Sequence, residues 1–427
     1  MRWRITAALA SVGLLAGVTS CGTSNTKDGA VSVYYTQASL YADPLKTAIK
    51  PLEKESNAPR VNLVLAGKNY NDVQQRIIRE AGTGRLPDVA LVGLNNLRGL
   101  VDLGIAQPLD TAIAKGSLNT KNIDPKFLKL TQYNGKQYGI PYGVATRILY
   151  ANADMFKAAG LDPTHLPTTW SELRKDARKL ADPAKHKYGI VMDWNGGSNI
   201  DFQQQLASAG GAMLNSDETS AAFNSSQGRA VVNYWRGLVK DKAMPLLART
   251  SDTSPNVQAF INGDAGMLIQ SNGNLGNINK SAKFTVATGQ VPIEDGGTRS
   301  APASGAAIVL LTKDPHRQAA ALKSIQQLVS PTASTALTLA SGYLPVNSAA
   351  LKSPELKKYF SEKPNRRTPL DAIPHLNQWQ TYPGGHDVEA NDAIEKSLLQ
   401  ALGGSESPEK ALTESRNAVN EILKNHG

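Results

Sequence analysis

Hydrophobic and polar positions alternate with a two-residue period at VSVYY (31–35), which predicts a strand. The period lengthens after it, with Leu45, Ile49 and Leu52 on one helical face. VNLVLAG (61–67) predicts a second strand, and Val73, Ile77 and Ile78 a second helix that Gly82 or Gly84 ends. LPDVALVGL (86–94) predicts a third strand and NNLRGLVDLG (95–104) a short helix. Strand and helix in alternation, with short connections, build an open α/β sheet with helices on both faces.

The pattern restarts after QYGIPYGVATRILYAN (137–152). Thr169 and Glu172 form a capping box heading the helix in TTWSELRKDARKLAD. KYGIVMDWNGG (187–197) predicts strand then loop, and NVQAFINGDAGMLIQSNGN (256–274) helix, turn, strand, loop. GAAIVLLTK (305–313) is a further buried strand. From Arg317 the chain is mostly helical, interrupted by SGYLPVN (341–347) and QWQTYPGGHD (378–387).

The N-terminus has a different pattern. Arg2 and Arg4 precede an uncharged apolar run from Ile5 to Val18. That run is too short to span a hydrocarbon core of about 30 Å as a helix, and its flanks describe a secretory signal peptide over 1–20. Val18-Thr19-Ser20-Cys21 resembles the bacterial lipobox, which makes Cys21 the expected lipid attachment site and 21–30 a polar tether. No later stretch is long and uncharged enough to cross a membrane.

Composition narrows the function. A chain of 427 residues exceeds what one core organises, so two lobes are expected. Cys21 is the only cysteine, which excludes disulfides within the chain and cysteine-based zinc sites. The net charge of +10 is spread without a basic block, so no nucleic acid partner is expected. The six histidines lack ligand spacing, and neither a metal nor a cofactor is expected. No G-x-S-x-G, H-E-x-x-H, phosphate loop or G-x-G-x-x-G is present. A glycosidase-type carboxylate pair among 36 acids stays open, leaving a secreted glycan-active enzyme as the rival class.

The candidate chemistry lies in loops predicted to follow strands, where open α/β sheets bind ligands. Tyr35 and Gln37 follow the first strand, Tyr70 the second, and Asn95 and Asn96 the third. Trp194 and Asn195 lie in DWNGG, Ser271 and Asn272 in QSNGN, Ser304 before GAAIVLL, Tyr343 in SGYLPV, and Trp379 and His386 in the late loop. Neutral hydrogen-bonding groups beside aromatic faces suit sugars, whose hydroxyls take the bonds and whose C–H faces stack.

Together with the lipobox, the segments GKNYNDVQQRI, TGRLPDVALVG, YGIPYGVATRILYANADMFKAAGLDP, TTWSEL, AFINGDAGMLIQSNGN, SGAAIVLL and SGYLPVN resemble the extracellular solute-binding proteins of family 1, in family order from about residue 31 onward. The resemblance implies an α/β, two-lobe, periplasmic-binding-protein-like (Venus-flytrap) fold with a multi-segment hinge. Crossings would fall near Gly143 to Ala145, with Thr146 beside them a further candidate ligand contact, near Pro302 to Ser304, and near Gly342. Lobe 1 would comprise 31–143 and 304–342, and lobe 2 144–303 and 343–427.

It further implies a monomeric, non-enzymatic receptor held at the outer face of the cell membrane through lipidated Cys21, delivering a solute to ABC permease subunits. NYND, QSNGN and SGYLPV look most like the glycerol-3-phosphate and glycerophosphodiester binders, in which positions matching Tyr70, Ser271-Asn272, Gly305 and Tyr343 touch ligand and Trp194 matches a cleft tryptophan. A ligand-binding glutamate there is Leu94 here, a serine is Val144 or Ala145, and a phosphate-clamping arginine falls at His386 or Asp387. Without that arginine fork the expected solute is a neutral sugar, oligosaccharide or polyol. A phosphorylated ligand is the alternative, with Arg147 or Arg366 supplying the charge.

Overall fold

The computed structural model describes residues 29–193, 198–247 and 254–426. β1 (Val31–Tyr35), β2 (Val61–Leu65) and β3 (Val89–Gly93) run parallel in the order β2-β1-β3. After a small hairpin of β4 (Gln132–Tyr133) and β5 (Lys136–Gln137), β6 (Gly139–Ala145) leads through Thr146 into β7 (Arg147–Asn152). β8 (Tyr188–Met192), β9 (Ala265–Ser271) and β10 (Val286–Gly289) complete a second sheet in the order β10-β7-β9-β8.

β11 (Ala301–Leu310) returns to the first sheet, antiparallel to β3 on one edge and to β6 on the other. β12 (Leu376–Gln378) extends that second edge, parallel to Ala301–Ala303. Every residue of β3 is buried, which is why its apolar residues run without alternation. β2, an edge strand, is partly exposed and alternates less clearly.

Each sheet carries its own core. Around the first, the helix Ala38–Glu53 turns Leu45, Ala48, Ile49 and Leu52 inward and packs on the helices Pro315–Leu328 and Pro331–Ser341. Around the second, Trp170, Phe202, Phe223 and Trp235 pack with Tyr382, Ile394 and Leu398. The capping box is formed, with the Thr169 hydroxyl accepting from the Glu172 N–H and the Glu172 carboxylate from the Thr169 N–H.

The third crossing differs from the expectation. Beyond Gly342 the chain turns back into the first lobe, because the Leu344 N–H donates to the Val144 carbonyl at 2.8 Å and Leu344, Val346, Ala372 and Leu376 are buried in the first core. The chain then touches the second lobe, where the Asn365 amide donates to the Val286 carbonyl at 2.9 Å and the Thr288 hydroxyl to the Asn365 carbonyl at 3.0 Å, before β12 returns to the first sheet. The Gln378 amide still bonds the Gln132 carbonyl, whereas the Gln380 N–H donates to Gln203 of the second lobe. The last two helices, Asp387–Gly403 and Pro408–His426, pack in the second core. The assignment of 343–427 to lobe 2 therefore does not hold for 343–346 and 370–378, which pack in the first lobe.

Candidate functional site

The carboxyl ends of β1, β2, β3, β6 and β9 and the first half of β11 meet where the lobes join, and the turn Ser341–Leu344 delivers Tyr343 there. The ring of Tyr343 lies between the first crossing and the end of β9. A Cβ on Gly143 would stand 2.7 Å from its Cδ2, and one on Gly273 would collide with its Cε1, so both positions need glycine. The hydroxyls of Tyr41 and Tyr70 hydrogen-bond to each other, with Tyr343 beside them. Tyr41 is fully buried, and its ring is 6.4 Å from that of Tyr70 and 6.0 Å from that of Tyr142. Burial holds the pKa of each of these tyrosines above the ordinary value. The group thus presents neutral phenols, which both donate and accept hydrogen bonds.

Tyr70 and Asn95 converge on the end of β3, with Tyr70 Cβ and Asn95 Oδ1 each 2.9 Å from where a Cβ of Gly93 would begin. Ser304 closes the far side, its hydroxyl donating to the Ala145 carbonyl at 3.4 Å. Ser271 is half-buried at the end of β9, beside Gly273. Tyr70, Asn95, Ser271, Ser304 and Tyr343 therefore gather around the junction of the lobes.

Other expected ligand contacts are walls of the site or lie elsewhere. Asn272 has no exposed surface, and both ends of its carboxamide are engaged by Thr146 and Gly342. Asn96 is buried, with its Nδ2 donating to Asn71 and Gln74. Thr146 is buried between the lobes' sheets. Gly305 is also buried, at φ 106 with its carbonyl accepting from the Leu94 N–H at 3.0 Å. A side chain there would collide with the Gly143 carbonyl, so this residue shapes the wall. Asp387 is buried too, accepting from the Tyr382 N–H at 2.8 Å.

Tyr35 packs half-buried against the first core. Gln37 lines a neighbouring depression with Lys68, Asp72 and Arg79. Trp379 lines a separate cavity of about 230 Å³ with Arg98, Tyr133 and Glu218. His386 lies 3.4 Å from Glu389. Trp194, Asn195 and Cys21 lie outside the described residues.

Positive charge around the site is matched by carboxylates. Arg147 is buried 2.8 Å from Asp201 and donates to Gln270 at 2.5 Å. Burial pushes the Asp201 carboxyl up while Arg147 pulls it down, and the net shift is upward. Behind this pair, Asp193 accepts from Ser254, Asn256 and Gln270. Arg366 stacks 4.1 Å over the Tyr359 ring and bonds Glu362 at 3.0 Å. Arg98 bridges to Glu218 at 2.6 Å. Among the described residues, no cluster of three or more His, Cys, Asp or Glu has the arrangement to hold a metal.

Sequence reasoning missed Tyr41 and the Arg98–Glu218 pair, and it named Gly143 as a crossing residue but not as the seat of the Tyr343 ring. Tyr41 shares a helical face with Leu45, Ala48 and Ile49 and so reads as core. The ion pair joins residues far apart in sequence with no motif to connect them.

The family described as bacterial extracellular solute-binding protein matches residues 47–364. The sn-glycerol-3-phosphate-binding periplasmic protein of Salmonella typhimurium is 27% identical over 295 residues, covering 66% of this chain and 66% of that protein. The chain thus matches slightly under two thirds of that relative's length. A putative binding protein of Brucella abortus is 24% identical over 428 residues, covering 96% and 98%. UgpB from Mycobacterium tuberculosis, solved with glycerophosphocholine, superposes with a TM-score of 0.81 at 21% identity, covering 93% of this chain and 99% of that one. The cyclic alpha-maltosyl-1,6-maltose binding protein from Arthrobacter globiformis gives 0.79 at 22% identity, covering 92% and 99%. At such identities the likeness shows the two-lobe periplasmic-binding-protein-like fold.

Proposed function

The chain belongs to the bacterial extracellular solute-binding proteins, and from that premise we propose that it is the lipid-anchored capture component of an ABC importer for a neutral sugar, oligosaccharide or polyol. The role is binding, not catalysis. The observation that carries the choice of ligand is the pairing of the two candidate phosphate clamps: Arg147 is committed to Asp201 and Arg366 to Glu362. A phosphate there would have to compete with a carboxylate already in place for the arginine fork. The phenols of Tyr70 and Tyr343 and the amide of Asn95 are uncharged partners suited to hydroxyls.

Uptake would proceed by lobe closure. Solute entering between the lobes gains its full set of contacts only when both lobes reach it, and that difference in affinity shifts the hinge equilibrium. The closed form would then dock on the permease. Lipid at Cys21 and the tether to Ala30 would keep the receptor beside its importer.

A second reading, a glycerophosphodiester ligand, is favoured by the ligands named for the Salmonella relative and the M. tuberculosis structure. Calorimetric titration with mono- and oligosaccharides, polyols, glycerol-3-phosphate and glycerophosphocholine separates the two. Saturable binding of a neutral member of the panel is expected. Binding confined to the phosphorylated members would overturn the neutral reading.

A further inference from the structure

We infer that Asn272 is a positioning residue, a tie that couples the turn bearing Tyr343 to the crossing between the lobes. The inference rests on reading the cleft between the lobes as the binding site. Asn272 sits at the end of β9 in the second lobe, with no exposed surface. Its Oδ1 accepts from the Thr146 N–H at 2.9 Å, and its own N–H donates to the Thr146 carbonyl at 3.0 Å. Thr146 is the single residue between β6 of the first lobe and β7 of the second. Any rotation of one lobe against the other at this crossing passes through its dihedrals.

The other end of the carboxamide reaches the binding turn. Asn272 Nδ2 donates to the Gly342 carbonyl at 2.7 Å, one residue before Tyr343. On the far side of Tyr343, the Leu344 N–H donates to the Val144 carbonyl at 2.8 Å. The turn is therefore held to the second lobe through Asn272 and to the first through Val144, on either side of a side chain in the candidate binding site. A solute that moves Tyr343 loads both attachments at once, so its binding is passed to the hinge. An amide offers an acceptor to Thr146 and a donor to Gly342 in one plane at every pH. Ionised aspartate is isosteric but has no donor, and it would set a carboxylate oxygen against the Gly342 carbonyl; serine is too short to reach both partners.

The test compares the full mature chain with its Asn272→Asp and Asn272→Ser variants, by amide hydrogen exchange and solution scattering without solute. Exchange should rise about tenfold in segments 143–147 and 341–344, the scale of one lost buried hydrogen bond, while β3 and β9 keep their protection. The radius of gyration of the solute-free protein should change in the same variants. Unchanged exchange and scattering in both variants would overturn the tie. Titration with maltose and with glycerophosphocholine adds a second discrimination, because weakened binding with unchanged exchange and scattering would make Asn272 a direct ligand contact and also overturn it. The exchange and scattering arms need no ligand, so failure of the sugar reading leaves them decisive.

Discussion

The Arg98 guanidinium lies 2.6 Å from the Glu218 carboxylate, joining the helix after β3 in the first lobe to a loop of the second. The pair is supported on both sides. Arg98 also lies 3.5 Å from Asp102, and Glu218 accepts from Gln380 at 2.9 Å. Burial raises the Glu218 pKa, but the hydrogen bonds from Arg98 and Gln380 outweigh it and hold the carboxyl below its ordinary value. This contact clamps the lobes beside the last crossing, at Gln378–Gln380.

Glu218→Gln keeps the volume and a partner for Gln380 while removing the charge that Arg98 meets. The pair is partly solvent-exposed, so its loss should cost on the order of 1 kcal/mol and weaken solute affinity about three- to tenfold. High salt screens the native pair as well, so the gap between variant and wild type should shrink there. Titration at low and high ionic strength checks this. Equal affinities at low salt would show that the pair does not hold the lobes.

Tyr41→Phe removes one hydroxyl and leaves the packing of a fully buried ring in place. Tyr70 would lose a hydrogen-bond partner and its phenol would be less constrained. Affinity should fall about three- to tenfold and stability by about 1 kcal/mol, the worth of an ordinary hydrogen bond. Tyr41→Ala should instead cost about 3–5 kcal/mol by leaving a cavity. If the Tyr41→Phe variant binds solute as tightly as wild type in a calorimetric titration, the hydroxyl chain has no part in recognition.

How much was legible in the sequence follows from what each feature depends on. The α/β order was readable because β3 and the middles of β9 and β11 are apolar runs and their flanking helices carry one buried face. Tyr70 and Asn95 could be placed near the carboxyl ends of β2 and β3 because they follow runs that read as strands. The path after Gly342 was not readable, since nothing local to SGYLPVN reveals that Leu344 will bond Val144 across the sheet. Asn272 and Asn96 look like solvent-facing turn amides in sequence. Only tertiary packing determines that their amides are used internally.

Gly143→Ala tests the seat of the Tyr343 ring. The added methyl would start 2.6 Å from Leu337 Cδ2 and 2.7 Å from Tyr343 Cδ2, so the ring must move. Overpacking of this kind costs about 1–3 kcal/mol. Because the displaced ring is a site residue, affinity should fall by tenfold or more, on the order of that same energy. A thermal melt and a titration on the same sample check both. A destabilised variant with native affinity would remove Tyr343 from the site.

Asp387 makes stability depend on pH. Burial lifts its carboxyl to about 7, and Arg98 and the Tyr382 N–H offset only part of that. Asp102 adds to the upward shift, and burial also raises the neighbouring Tyr133 and Tyr382 phenols. Between the ordinary value of 3.8 and about 7 the folded chain keeps a proton that the unfolded chain releases, so stability should fall as pH rises through that window. Asp201, shifted the same way, adds to the slope. Asp241 and Glu218 are held below their ordinary values, so their contributions are lost only at more acidic pH. Asp387→Asn keeps an acceptor for the Tyr382 N–H and does not titrate. It should therefore be more stable than wild type at pH 8, close to it at pH 5, and shallower in slope between. Chemical denaturation at the two pH values measures this, and parallel slopes for the two proteins would rule out Asp387 as the source.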